Sequence, residues 1–285
     1  MRVVRLLSPD GDAAALTAVN ERLHAQRPGY ALEFTGPVRS LPAAGTSRIA
    51  FVHASDARAH ATLGATRAEI GLGDAIALRA GSAVELDAPL AFVVVSVPDA
   101  FDDAVPGFLR PDADPRLRDA PGGCATESDA YRRVMLTWSS ANGPYLSHAV
   151  NCHRVRMVDS FSHYHPIDGG FEELYLVHDV RPGGRLLWSP DVARIESPAS
   201  VDRATALTLV RSTSLVAGDL VFIPRGTMHR AVGGVLAHVV TIPGFVPARE
   251  IGVDHHLRAI DERLGLVGDE ALPYHVAASL APMVR

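Results

Sequence analysis

Short apolar stretches punctuated by glycine and proline run through most of the chain. β-type runs at 31–34, 47–53, 75–79 and 91–97 are separated by turn-forming residues. The pattern resumes at 131–138, 153–158, 173–177, 185–188, 220–223 and 236–242. Helical spacing is found in few places. Leu16, Val19 and Leu23 predict a helix within 10–27, with Asp10 or Asp12 as its cap and Pro28-Gly29 as its stop. A short helix is expected within 201–213, and Leu257, Ile260 and Leu264 predict another over 254–264. Residues 99–130 are rich in Pro, Gly and Asp and read as a surface-wrapping linker, while the last twenty residues predict nothing definite. Many short strands with turns between them predict an all-β sandwich or barrel architecture, with helices at its ends.

One segment recurs. Gly73-Asp-Ala-Ile-Ala-Leu-Arg-Ala-Gly81 aligns with Gly218-Asp-Leu-Val-Phe-Ile-Pro-Arg-Gly226. The alignment continues without a gap to 91–98 against 236–243, and both glycines and the closing prolines, Pro98 and Pro243, are kept. Those are the positions where backbone geometry is most restrictive. Two copies of one β-fold are therefore expected.

Composition narrows the partners. The chain has 285 residues, a formal charge of −5 and no Lys/Arg-rich run, which argues against a nucleic-acid partner. The longest apolar run, 90–97, is far short of the roughly 20 residues of a spanning helix, and the N-terminal apolar stretch is too short for a signal-peptide core. A soluble, cytoplasmic protein with no membrane partner is expected. Its two cysteines, Cys124 and Cys152, form no CxxC pair, so they read as inert thiols in a reducing compartment.

Histidine is the informative residue, since nine of thirteen fall between His148 and His256. His163 and His165 sit at i and i+2, so on a strand both imidazoles aim to one side while Tyr164 points away. Glu172 and Glu173 follow a Pro-Gly-Gly loop, and strand alternation lets only one of them face the same way. Residues 218–229 read G-x5-P-x-G-x2-H. In that order come a turn, an apolar strand, a proline that ends the ladder, a glycine for a tight turn, and His229 opening the next strand.

At this pair of motifs the chain resembles the cupin superfamily, whose barrels carry H-x-H-x3–4-E and G-x5-P-x-G-x2-H-x3-N. The resemblance covers about 135–245 well, and the internal repeat extends it to about 30–98. It implies two double-stranded β-helix (jelly-roll) barrels with a short N-terminal helix and a C-terminal helix. The expected division is an N-terminal barrel over 1–110, a linker over 111–130, a metal-type barrel over 131–248 and a helical tail over 249–285. Carried over residue by residue, it implies one divalent metal ion (Fe, Mn, Ni, Cu or Zn) held by His163, His165, Glu173 and His229. Glu173 is preferred to Glu172 because it adjoins the Leu174-Tyr175 pair. Three features depart from the pattern, one being that the glycine expected to close the first motif is missing or displaced to Gly183/Gly184. The gap from His165 to the glutamate is longer, and Gly233 stands where the motif has Asn. In the first copy Arg79 replaces Pro224 and Val84 replaces His229, so that barrel is expected to be metal-free, serving structure or dimerisation.

Around that centre Tyr175 shares the face of Glu173 and is a candidate to hydrogen-bond a ligand or to pack the core. His238, aligned with Val93, is either a pocket residue or an outward-facing strand histidine, and Asn151 and His153 pose the same question. Arg225 and Arg230 flank the metal turn as substrate-anion binders or surface residues, and His255-His256 read as solvated. The resemblance implies a metal-dependent dioxygenase for a small enol, catechol or dicarbonyl compound. It also admits a sugar or uronate isomerase, or a non-enzymatic small-molecule-binding protein. In each case the partner is a small molecule and the assembly is expected to be a homodimer.

Overall fold

The computed structural model describes residues 1–7, 12–53, 55–123 and 131–285. Asp10, Cys124 and the end of the expected linker lie outside the described residues. In chain order the elements begin with β1 (Arg2–Arg5), α1 (Ala13–Gln26), β2 (Ala31–Leu41), β3 (Ser47–Val52), β4 (Ala59–Leu63), β5 (Thr66–Ile70), β6 (Ala75–Leu78), β7 (Val84–Val97) and β8 (Phe108–Leu109). The second half contains β9 (Arg132–Leu136), β10 (Asn151–Asp159), β11 (His163–Tyr164), β12 (Glu172–Val180), β13 (Arg185–Ser189), α2 (Val192–Ile195) and α3 (Arg203–Leu209). It continues with β14 (Arg211–Ser214), β15 (Asp219–Ile223), β16 (Met228–Ile242), β17 (Ile251–Gly252), α4 (Asp254–Leu264) and β18 (Met283–Val284). The result is a mixed fold of two antiparallel sheets and several helices, and not all of the helices are at the ends.

The two sheets repeat one pairing scheme. In the first, β3 lies between β6 and β7, while β2 and β4 also pair with β7 and β5 pairs with β4. In the second, β12 lies between β15 and β16, while β10 and β13 also pair with β16 and β14 pairs with β13. The recurrence seen in the sequence is thus a recurrence of neighbours, with β6 answering to β15 and β7 to β16. The first sheet curls into a nearly closed barrel around Ile70, Ile76, Leu78, Val84, Leu86 and Phe92. The outer partner differs between the sheets. β6 takes β8 from its own half, whereas β15 takes β1 from the chain's beginning, with Arg2 opposite Phe222 and Arg5 opposite Asp219. Arg5 also ion-pairs with Asp219 at 2.6 Å.

Side-chain alternation divides the second sheet into two faces. Leu174, Leu176, Leu220, Phe222, Val240 and Ile242 join Ile49, Phe51, Ala75, Ala77, Val93 and Val95 of the first sheet in one core. Tyr175, Val177, Val221, Ile223, Ala237 and Val239 form the second sheet's own interior. Both faces being buried explains why these strands read as continuous apolar runs. Helix α1 is capped by Asp12, whose Oδ1 accepts from the Ala15 amide at 3.3 Å, and it buries Ala15, Val19 and Leu23 against that core. Helix α4 spans the predicted 254–264 and ends at Gly265 in the left-handed conformation.

A group of histidines is set in the contact between sheets. His53, His178 and His238 are buried, with ring centroids 5.7 Å apart for the first pair and 4.5 Å for the second. His238 Nε2 donates to the Gly73 carbonyl at 3.0 Å, and Arg154 Nε donates to His178 Nδ1 at 3.3 Å. Burial keeps all three imidazoles neutral, with His53 pushed down to about 4. The folded protein therefore binds fewer protons here than the unfolded chain. The stability held by His53 is complete above its ordinary value near 6.5 and drains away as pH falls toward 4. Nearby Asp74, raised to about 6 by burial, works in the opposite direction as it protonates. The comparison of wild type with His53→Leu isolates the histidine. Between pH 7 and pH 4.5, wild type should lose about 2.5 kcal/mol more unfolding free energy than the variant. Denaturant titrations at the two pH values measure this, and equal losses would mean that His53 is not neutral in the fold.

Candidate metal centre

His163 enters the site on β11, a two-residue strand held between β16 and β17. It lies opposite His229 on one side and Gly252 on the other. His165 follows two residues later, its carbonyl accepting from the Gly226 amide at 2.7 Å. Gly226 has φ +76° in the turn before β16, a conformation that L side chains rarely adopt, and so delivers His229 to the same place. The extended gap between His165 and Glu173 contains a tight turn. At Gly170 a Cβ would lie 2.2 Å from the Pro166 carbonyl oxygen, so only glycine allows the chain to turn back there. The longer loop returns the carboxylate to the imidazoles.

His163, His165, Glu173 and His229 are all buried, and each offers a donor atom within 4.8 Å of the others. His229 Nε2 is 3.0 Å from Glu173 Oε2, and His165 Nε2 is 3.8 Å from Glu173 Oε1. The tautomers follow from the outer hydrogen bonds. His163 Nδ1 faces the Phe161 carbonyl at 3.1 Å and His229 Nδ1 faces the Thr227 carbonyl at 3.1 Å. Carbonyls only accept, so each Nδ1 carries the proton and each Nε2 presents a lone pair inward. Burial, with the neighbouring imidazoles of His229 and His165, drives His163 well below its ordinary range; burial and His229 do the same to His165. His163 Nε2 and both His165 nitrogens are buried without a hydrogen-bond partner. Lone pairs converging on a carboxylate in a dry site leave a position that a cation fills.

The donor set fits a divalent ion. Bonds of about 2.1 Å place neighbouring donors about 3.0 Å apart and opposite ones about 4.2 Å apart, so the observed spread needs a contraction of about half an ångström. Among the described residues no second group of this kind occurs.

The two glutamates separate as alternation requires. Glu173 faces inward, while the fully buried Glu172 faces α1 and is bracketed by two guanidinium groups. Arg27 Nε donates to its Oε2 at 2.6 Å and Arg225 Nε to its Oε1 at 2.5 Å. Arg27 also donates to the Gly170 carbonyl at 2.5 Å and Arg225 to the Ile167 carbonyl at 2.8 Å, so this network clamps the loop that carries His165 toward Glu173.

The structure disposes the remaining candidates in different ways. The Tyr175 ring lies 6.2 Å from His229, within the interior apolar cluster. His238 is on the opposite face of β16, nine residues from His229, which is an odd step along a strand. Its ring contacts Phe51 of the first sheet at 4.9 Å. Arg230 is buried and donates to Asp159, Ser160 and Pro273. Arg225 serves Glu172 as described. His255 and His256 are half-buried, their tilted rings with centroids 3.9 Å apart. Cys152 is buried, and burial pushes its thiol far above the usual thiol range.

Next to Glu173 lies a cavity of about 510 Å³, lined in part by Asn151, His153, Thr241, Trp138, Phe245 and Glu250. Asn151 and His153 are thus placed at the cavity, with Asn151 Oδ1 accepting from the Phe245 amide at 2.7 Å. Glu250 was not among the residues singled out from the sequence. Its carboxyl lies 3.5 Å from His163 Nε2, and burial together with Glu173 raises it to about 7. Nothing local in the sequence marks it, because β17 and β18 bring it in from beyond the last motif.

No protein-family model matches the chain, and no curated protein matches it. Among solved structures it is similar to oxalate decarboxylases. A variant of the Bacillus subtilis enzyme shares 12% identity over 88% of this chain and 79% of its own, with a TM-score of 0.47. The Lactobacillus farciminis enzyme in its formate complex shares 14% over 86% of each chain, with a TM-score of 0.47. Likeness at this level carries nothing about activity, and the functional reading rests on the site.

The clamp around Glu172 makes a separable prediction. Glu172→Leu leaves two guanidinium groups facing each other without their anion, and should lower the unfolding free energy by about 3 kcal/mol. Denaturant unfolding of the variant measures the loss. A change under 1 kcal/mol would show that the ion pairs do not hold the loop.

Proposed function

We propose that the protein is a metal-dependent enzyme of the cupin kind, holding one divalent ion through His163, His165, Glu173 and His229. We further propose that it is a dioxygenase acting on a small enol, catechol or dicarbonyl-type compound. The observation that carries this reading is the convergence of three buried imidazoles and one carboxylate, that carboxylate also lining the neighbouring cavity. Three nitrogens and one oxygen suit Fe, Mn, Ni, Cu or Zn and leave positions free on a six-coordinate ion. When bound, such an ion supplies Lewis acidity and, if redox-active, one-electron chemistry with oxygen.

The chain's own residues do the rest. The carbonyls of Phe161 and Thr227 fix two of the imidazoles in the tautomer that points Nε2 inward. Phe171 stacks on His165 with centroids 3.9 Å apart, which orients the third ring and excludes water from that side. Val134, Leu136, Trp138, Phe245 and Pro247 give the cavity an apolar wall suited to a planar, unsaturated compound better than to a polyhydroxylated sugar. Glu173 supplies negative charge at the inner end, and Asn151 and Thr241 lie beside it on neighbouring strands.

Elemental analysis of freshly purified protein tests the ion. Near-stoichiometric metal is expected in wild type, with strong loss in His163→Ala and in His229→Ala. Equal content in all three would remove the ligand assignment. Oxygen uptake on a panel of enols, catechols and dicarbonyls tests the reaction. Turnover undiminished under argon would replace the dioxygenase with the isomerase reading. If no small molecule perturbed the spectrum of a bound metal, a non-catalytic binding protein would remain.

A further inference from the structure

The cavity has a second charged end. Arg132, at the start of β9, and Arg285, beside β18, both line it, and both guanidinium groups act electrostatically on Glu250. Arg285 is placed by a reciprocal backbone pair with Glu250, at 3.1 and 2.9 Å, and its guanidinium lies over the Phe161 ring at 4.7 Å. Arg132 Nη1 donates to the Ala120 carbonyl at 2.9 Å, which fixes its reach from the other side.

Along β9 the polarity changes in order. Arg132, Val134, Leu136 and Trp138 all line the cavity, the pairing of β9 with β10 shifting register between Val134 and Leu136. The Trp138 ring stacks on Phe245 with centroids 4.1 Å apart and planes 22° from parallel. The wall therefore runs from a guanidinium, across two aliphatic side chains, to a stacked aromatic pair. Such a surface is complementary to an anion carried on a flat apolar body. The charges agree with this. Arg132 and Arg285 are the groups in the described lining that an anionic ligand would meet.

We propose that the substrate is a ring-bearing carboxylate, its carboxylate received by Arg132 and Arg285 and its ring lying along Val134, Leu136 and Trp138 toward Glu173. This rests on the metal-centre reading for the direction in which the reacting end points, while the recognition of the anion belongs to the two arginines. Planar guanidinium groups bind a carboxylate with two parallel hydrogen bonds, which a neutral amide of the same shape cannot accept in the same way.

A probe that does not chelate separates the two ideas. Binding of 3-phenylpropanoate and of its amide is measured by calorimetry on wild type, Arg132→Gln and Arg285→Gln, with metal content and circular dichroism recorded for each. The carboxylate should bind wild type at least 10-fold tighter than the amide. Each glutamine variant should reduce that preference to less than 3-fold while retaining the wild-type metal content and spectrum. Equal affinity for the two probes, no binding of either, or a preference that survives in both variants would overturn the proposal. Loss of metal from wild type with the carboxylate preference intact would instead count against the metal centre alone. If one variant fails to fold, the other and the charge-keeping Arg132→Lys, expected to retain part of the preference, decide the matter.

Discussion

Strand alternation in a sheet buried on both sides is the constraint from which the rest of the structure follows. On β12, β15 and β16 each residue must satisfy either the interior of its own sheet or the contact with the other sheet. Leu174 and Tyr175, or Val239 and Val240, are neighbours in the chain but belong to different cores. The same rule sends Glu173 to the imidazoles and Glu172 to Arg27 and Arg225. Two adjacent carboxylates of identical chemistry thereby acquire unrelated roles, one among lone pairs and the other in a clamp. A one-residue slip of β12 would turn Glu173 away from the imidazoles and bring the face of Glu172, Leu174 and Leu176 toward them.

Electrostatics at the centre depends on this geometry. The inward nitrogens of His163 and His229 are lone-pair donors because their outer nitrogens are committed to backbone carbonyls, and those carbonyls are supplied by the same short segments that carry the two histidines. Backbone, tautomer and donor direction are thus one arrangement. The first sheet shows the alternative. At the positions answering to Pro224 and His229 it has Arg79 and Val84, and its interior is filled by aliphatic and aromatic side chains. The same pairing scheme encloses a polar site in one copy and an ordinary hydrocarbon core in the other.

Much of this was legible from residue order. The spacing of His163, His165 and His229, and the preference for Glu173 over Glu172, anticipated the group that the fold brings together. The helix over 254–264 was visible because Leu257, Ile260 and Leu264 recur at helical spacing. Other features were not legible. β1 is too short to have a periodicity and is paired by a strand over two hundred positions away. β4 and β5 are half-exposed and polar, with no apolar run to mark them. The side of β16 on which His238 falls could have been counted from His229, but only once the two were known to share an unbroken strand. Glu250 and Arg285 carry no local signal, since their place in the cavity depends on the final segment folding back.

The attachment of the first strand to the last sheet has a consequence for how the molecule comes into being. During synthesis Arg2–Arg5 is made more than two hundred residues before the strand whose edge it completes. Until then β1 has no ladder to join, and the outer edge of β15 is uncovered without it. The halves therefore mature together, and a gene cut between them would yield one fragment carrying a strand without a partner and another with an open, adhesive edge.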